Sequence, residues 1–139
     1  MDLIVDVGNT FVKIAVFEDD NIIFCQKYSE VNASIIFEIK NKFDTKRGII
    51  SSVRNNEAEV SAILNKINIS FYWLNHKMEF PFKINYKTPE TLGLDRVSAV
   101  VGAMAMFPNS NLLIVDMGTC ITSDFVDENL VYHGGSIAP

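Results

Sequence analysis

Apolar and polar positions alternate along this chain in two rhythms, strand-like and helix-like, and part of that succession occurs twice. Asp2 to Val7 reads as a strand buried on both faces, Phe11 to Glu18 as its hairpin partner across Gly8-Asn9-Thr10, and Asn21 to Tyr28 as a third strand. From Val31 to Phe43 the apolar residues Val31, Ile35, Ile36 and Ile39 take helical spacing. Arg47 to Val53 returns to strand character, Glu57 to Ile67 to helix and Ile69 to Leu74 to strand. Three strands followed by helix, strand, helix and strand predict an α/β layered domain.

Asn75 to Leu92 is mixed text with Pro81 and Pro89, a loop or short-strand region. A helix opens at Asp95 or a neighbour, with Val97, Val100, Val101 and Met104 on one stripe and alanines on the others, which predicts burial between layers. Pro108-Asn109-Ser110 stops it. Asn111 to Asp116 then reads as a buried strand, Cys120 to Val126 as its hairpin partner, and Leu130 to His133 as a third strand before Gly134-Gly135. The three-stranded opening is repeated without the helices that follow its first copy. The expected division is a first domain over 1–110 and the beginning of a second over 111–139, broken off with an apolar sheet lacking its covering layer.

Composition narrows the function classes. The 139 residues, 48% hydrophobic, are enough for a packed core, and a chain of this size buries roughly 70% of its unfolded surface. A net charge of −5 lacks the clustered basic residues of a nucleic-acid surface. The first residues lack the make-up of a secretory signal, and the longest apolar run, Val97 to Phe107, is too short to span a bilayer, so a cytoplasmic setting without membrane contact is expected. Cys25 and Cys120 lack metal-ligand spacing and read as small buried thiols, while His76 and His133 read as structural or surface residues.

The candidate chemistry lies at the strand ends. Asp6-Val7-Gly8-Asn9-Thr10 and Asp116-Met117-Gly118-Thr119 each close an apolar strand with a carboxylate, a glycine and a hydroxyl. Glycine lets the backbone turn tightly and approach an anion, and turn amides donate to phosphate oxygens. Lys13 adds a point charge suited to phosphate. Between the two copies lies Gly93-Leu94-Asp95-Arg96, a carboxylate and a guanidinium where a helix begins, whose dipole favours the ionised carboxylate. Thr122 and Asp124, alternating with Cys120, either extend the polar lining or face solvent.

In Asp6 to Lys13, in Thr88-Pro89-Glu90-Thr91-Leu92-Gly93-Leu94-Asp95-Arg96 and in Asp116 to Asp124, in that order, the chain resembles type III pantothenate kinases. These belong to the superfamily of acetate and sugar kinases, heat-shock chaperones and actin, whose members of this type are longer than 139 residues. The resemblance implies an actin-like (ribonuclease H-like) mixed sheet with helices, and phosphorylation of pantothenate by ATP as the first step toward coenzyme A. It implies that Asp6, Val7, Gly8, Asn9, Thr10, Phe11, Val12 and Lys13 line the ATP phosphates, with Asp6 facing Mg2+ directly or through water. Thr119 would contact ATP, and Asp116 would hold a monovalent cation, K+ or NH4+. Asp95 would be the general base, and Tyr86, Gly93, Leu94, Asp95 and Arg96 would bind pantothenate, Arg96 clamping its carboxylate. A homodimer is implied as well. The competing reading is an inactive relative that binds a nucleotide or a partner, as the Bvg accessory factor relatives are described.

Overall fold

The computed structural model describes residues 1–54, 57–86 and 88–139, and its contacts divide the chain into two compact units, Met1–Leu74 and Asn75–Pro139. Among the described residues no helix is long and apolar enough to cross a membrane.

In the first unit β1 (Asp2–Val7), β2 (Val12–Glu18) and β3 (Asn21–Tyr28) form an antiparallel meander. They are followed by α1 (Ala33–Phe43), β4 (Arg47–Ser52), α2 (Glu57–Asn65) and β5 (Ser70–Trp73). The sheet order is β3-β2-β1-β4-β5, with β4 parallel to both β1 and β5. Helix α1 starts after Asn32, whose side chain accepts from the Ser34 amide at 2.8 Å, and stops where Asp44 turns left-handed at φ 46°. Leu3, Val5 and Val7 share one sheet face with Val12, Ile14, Val16 and Ile50, and that face is fully buried beneath Ile36 and Ile39 of α1 and Val60 and Leu64 of α2. Each such side chain contributes about 1.5–3 kcal/mol through its removal from water. Gly48 lies in this face because a Cβ there would stand 2.7 Å from the Phe71 ring. The burial of β1 on both faces, expected from its apolar text, is not observed. Asp2, Ile4 and Asp6 on the opposite face are only half-buried, because α1 and α2 both pack on the Leu3 side.

The second unit contains β6 (Lys83–Ile84), a single 3-10 turn (Pro89–Thr91), α3 (Leu94–Met106), β7 (Leu112–Met117), β8 (Ile121–Val126) and β9 (Val131–Ala138). Its sheet order is β6-β9-β8-β7, antiparallel except where β6 runs parallel to β9. Phe82, Leu92, Val97, Val100, Val126 and Tyr132 make the core. Within this unit α3 packs on β7 and β8, and by contact the chain divides between Leu74 and Asn75.

Several expectations are corrected here. The third strand does not end before Gly134 but runs on to Ala138, through a register shift opposite Phe125 and Val126. Gly134 adopts φ +83° there, and a Cβ at Gly135 would overlap the Ser123 carbonyl, so the two glycines carry the strand past the irregularity. Helix α3 is buried along one stripe (Arg96, Val97, Val100) and not between two layers; Met106 is exposed. Strand β7 is not buried: Leu113, Val115 and Met117 are 70%, 51% and 77% exposed. Their counterparts before the first glycine turn, Leu3, Val5 and Val7, are sealed by two helices, and in the second unit α3 covers the other face, that of Leu112 and Ile114. Both cysteines are exposed, Cys25 on the edge strand β3 and Cys120 in the turn before β8, so apolar neighbours in sequence did not translate into burial.

Candidate functional site

At the end of β1, Asp6 pairs across the sheet with Lys13, and their charged atoms lie 3.8 Å apart. The chain then reverses over four residues: the Gly8 amide donates to the Phe11 carbonyl at 3.0 Å, leaving Asn9 and Thr10 exposed at the tip. A Cβ on Gly8 would come 3.1 Å from that carbonyl, a tight contact that glycine avoids. Arg54, which the sequence reading did not single out, reaches this turn from beyond β4. Its Nε donates to the Gly8 carbonyl at 2.7 Å and its Nη2 to the Asn9 carbonyl at 3.0 Å. Of the residues expected to line the ATP phosphates, Val7 and Val12 have fully buried side chains, so only their backbone is open to such a role.

The second copy of the pattern is one residue tighter. Asp116 pairs with Thr122, the Gly118 amide donates to the Cys120 carbonyl at 3.0 Å, and Thr119 is exposed at the tip. Asp116 is exposed as well. Among the described residues no group of three His, Cys, Asp or Glu side chains is placed to hold a metal ion by itself.

Helix α3 begins at Gly93, which offers no side-chain cap. One Asp95 oxygen takes over that end, accepting from the Arg96 amide at 2.9 Å and filling the space where a Gly93 side chain would lie. Asp95 itself is exposed. Arg96 turns the other way, into the core. Its Nε lies 3.1 and 3.0 Å from the two Asp124 oxygens and its Nη2 2.6 Å from Oδ1, with only 8% of the arginine and 2% of the aspartate side chain exposed. The Tyr132 hydroxyl donates to the same Asp124 oxygen at 2.5 Å. The carboxylate holds Arg96 above its ordinary value, while burial first and then the bond to Asp124 push the Tyr132 phenol far up.

Tyr86 lies beside this cluster. Its ring rests on Gly134, where a Cβ would stand 2.7 Å from it. Around Arg96 the structure gathers Asp124 and Tyr132, to which sequence reasoning had assigned no role, while Tyr86 is seated on Gly134 of the neighbouring strand. The available signal was an aspartate in apolar strand text, a residue almost never fully buried unless paired. Of the two histidines, His133 makes a surface pair with Asp127 at 2.8 Å and His76 is exposed.

Fold and turns together define an actin-like α/β chain. The solved structure of ethanolamine utilization protein EutJ from Carboxydothermus hydrogenoformans shares its fold with a TM-score of 0.57 at 14% identity, over 99% of this chain and 51% of that one. The family model described as type III pantothenate kinase matches residues 2–139, and the chain belongs to that family. Curated relatives include the type III pantothenate kinase of Bacteroides fragilis strain YCH46, 40% identical over the whole chain and 57% of its own length. That of Flavobacterium psychrophilum is 42% identical over the whole chain and 58% of its own length. The chain thus spans somewhat over half the length of the curated relatives it matches.

Proposed function

We propose that the chain is the amino-terminal part of an enzyme that phosphorylates pantothenate with ATP, opening the route to coenzyme A. Membership of the type III pantothenate kinase family supports this, and the observation that carries it is Asp95, exposed at the first turn of α3 with one oxygen fixed by the Arg96 amide. In this reading the pantothenate hydroxyl oxygen attacks the γ-phosphorus, the bond to the β-phosphate oxygen breaks, ADP leaves, and the hydroxyl proton passes to the Asp95 carboxylate. Such transfers depend on positioning and charge, so an orienting base suffices.

The Asn9 and Thr10 turn and Lys13 bind nucleotide phosphates, and Thr119 does so at the second turn. Asp6 would hold Mg2+, directly or through water, and Asp116 a monovalent cation, K+ or NH4+, and these cations would neutralise phosphate charge. Tyr86 and the Gly93 to Arg96 segment bind pantothenate. Because the Arg96 guanidinium is buried and paired with Asp124, the contribution of Arg96 on this reading is to fix the first turn of α3 under the substrate, and clamping of the pantothenate carboxylate by it would require that pair to open. The reading includes a cytoplasmic homodimer.

Calorimetric titration of the purified chain with MgATP and then pantothenate tests this proposal. Saturable binding of both, with pantothenate binding weakened by Tyr86→Ala, is the expected outcome. Absence of nucleotide binding would refute the phosphate role of the glycine turns.

A further inference from the structure

We propose that Arg54 is a positioning residue of the first glycine turn: it holds two peptide planes so that the Asn9 and Thr10 amides face an anion, and does not itself touch the phosphate. The inference rests on the phosphate-binding reading of that turn. A trans peptide is planar, and its carbonyl and amide point in opposite directions. The Gly8 carbonyl shares its plane with the Asn9 N–H, and the Asn9 carbonyl shares its plane with the Thr10 N–H. Arg54 captures both carbonyls, at 2.7 and 3.0 Å, so both N–H groups are turned to the side away from the guanidinium, on two exposed residues. Successive amides held on one side are what an anion-binding turn requires.

The two copies of the pattern differ in a way that explains the need. The Gly118 turn closes on Cys120 within three residues, whereas the Gly8 turn closes on Phe11 within four and so has one more peptide free to rotate. Glycine at its start makes rotation easier still. A guanidinium spans two acceptors with a rigid fork, which a lysine ammonium does not reproduce. Arg54 is anchored in turn, because its own amide donates to the Ser52 hydroxyl at 3.1 Å and its carbonyl accepts from that hydroxyl at 3.0 Å.

The test compares Arg54→Lys and Arg54→Ala with the unsubstituted chain by 15N relaxation without ligand and by MgATP titration. Order parameters of the Asn9 and Thr10 amides are expected to fall in both variants from about 0.85 to below about 0.6, while those of Val5 and Ile50 stay high and show that the unit is folded. MgATP affinity falls roughly tenfold or more in both, the equivalent of one hydrogen bond to a charged group. Unchanged order parameters at Asn9 and Thr10, or full restoration of affinity by lysine, would overturn the inference. If the unsubstituted chain binds no MgATP, the kinase reading fails by itself, and the relaxation data alone then decide whether Arg54 holds the turn.

Discussion

Arg96 and Asp124, 28 residues apart in sequence, form a buried two-pronged ion pair with a closest approach of 2.6 Å, tying the first turn of α3 to the middle of β8. The residue after the candidate base is thereby fixed to the sheet. Removing one partner strands the other's charge in the core. Asp124→Ala is expected to lower unfolding free energy by about 3–5 kcal/mol in urea denaturation. Arg47→Ala, which breaks the exposed Asp2–Arg47 pair, is expected to cost far less, because solvent screens that pair. Equal losses in the two variants would contradict the burial assigned to Arg96.

Tyr132 gives the same cluster an optical signature. Its phenol is pushed up by burial and by Asp124, so the folded chain keeps a proton that the unfolded chain releases near the ordinary 10.0. Stability from this group is complete below pH about 10 and drains away as pH rises further toward the folded value. In an alkaline absorbance titration of the four tyrosines, Tyr132→Phe should remove the most alkaline component. Its persistence in that variant would place it elsewhere.

Gly134 seats Tyr86. Alanine there meets both a left-handed backbone at φ +83° and the Tyr86 ring, so Gly134→Ala should cost about 1–3 kcal/mol and shift the Tyr86 ring resonances. Tyr86→Ala combined with Gly134→Ala removes the ring clash and leaves the backbone cost alone. A double variant as unstable as Gly134→Ala would show that the contact is not what demands glycine.

Acid sensitivity carries a smaller signal of opposite sign. The Arg47 guanidinium beside Asp2 holds its carboxyl below the usual 3.8, so this contribution is present above that value and is lost as pH falls through the folded one. Asp2→Asn should flatten the acid limb of the stability curve by less than about 1 kcal/mol, and salt should shrink the difference. An effect unaltered by salt would point to a cause other than this exposed pair.

The strands and helices were legible wherever local text sufficed. Asp2–Val7 and Asn21–Tyr28 stand as the apolar pattern predicts, the glycine turns close where expected, and α3 begins next to Gly93. What stayed hidden depends on distant partners. The triplets Leu113, Val115, Met117 and Leu3, Val5, Val7 have the same character, and only the helices absent from the second copy of the pattern tell the open one from the sealed one. Asp124 was noticed as a polar residue in strand text, but its role depends on Arg96 from another element. Arg54 follows β4 with no motif around it, and its meaning appears only once parallel pairing of β1 and β4 brings it to the Gly8 turn.

Transfer of labelled γ-phosphate from ATP to pantothenate by the purified chain, with Mg2+, with and without potassium, and beside Asp95→Asn, tests the central claim most directly. Potassium-stimulated formation of phosphorylated pantothenate that is abolished by Asp95→Asn is the predicted result. Turnover indifferent to that substitution, or no turnover in a chain that binds both ligands, would contradict it.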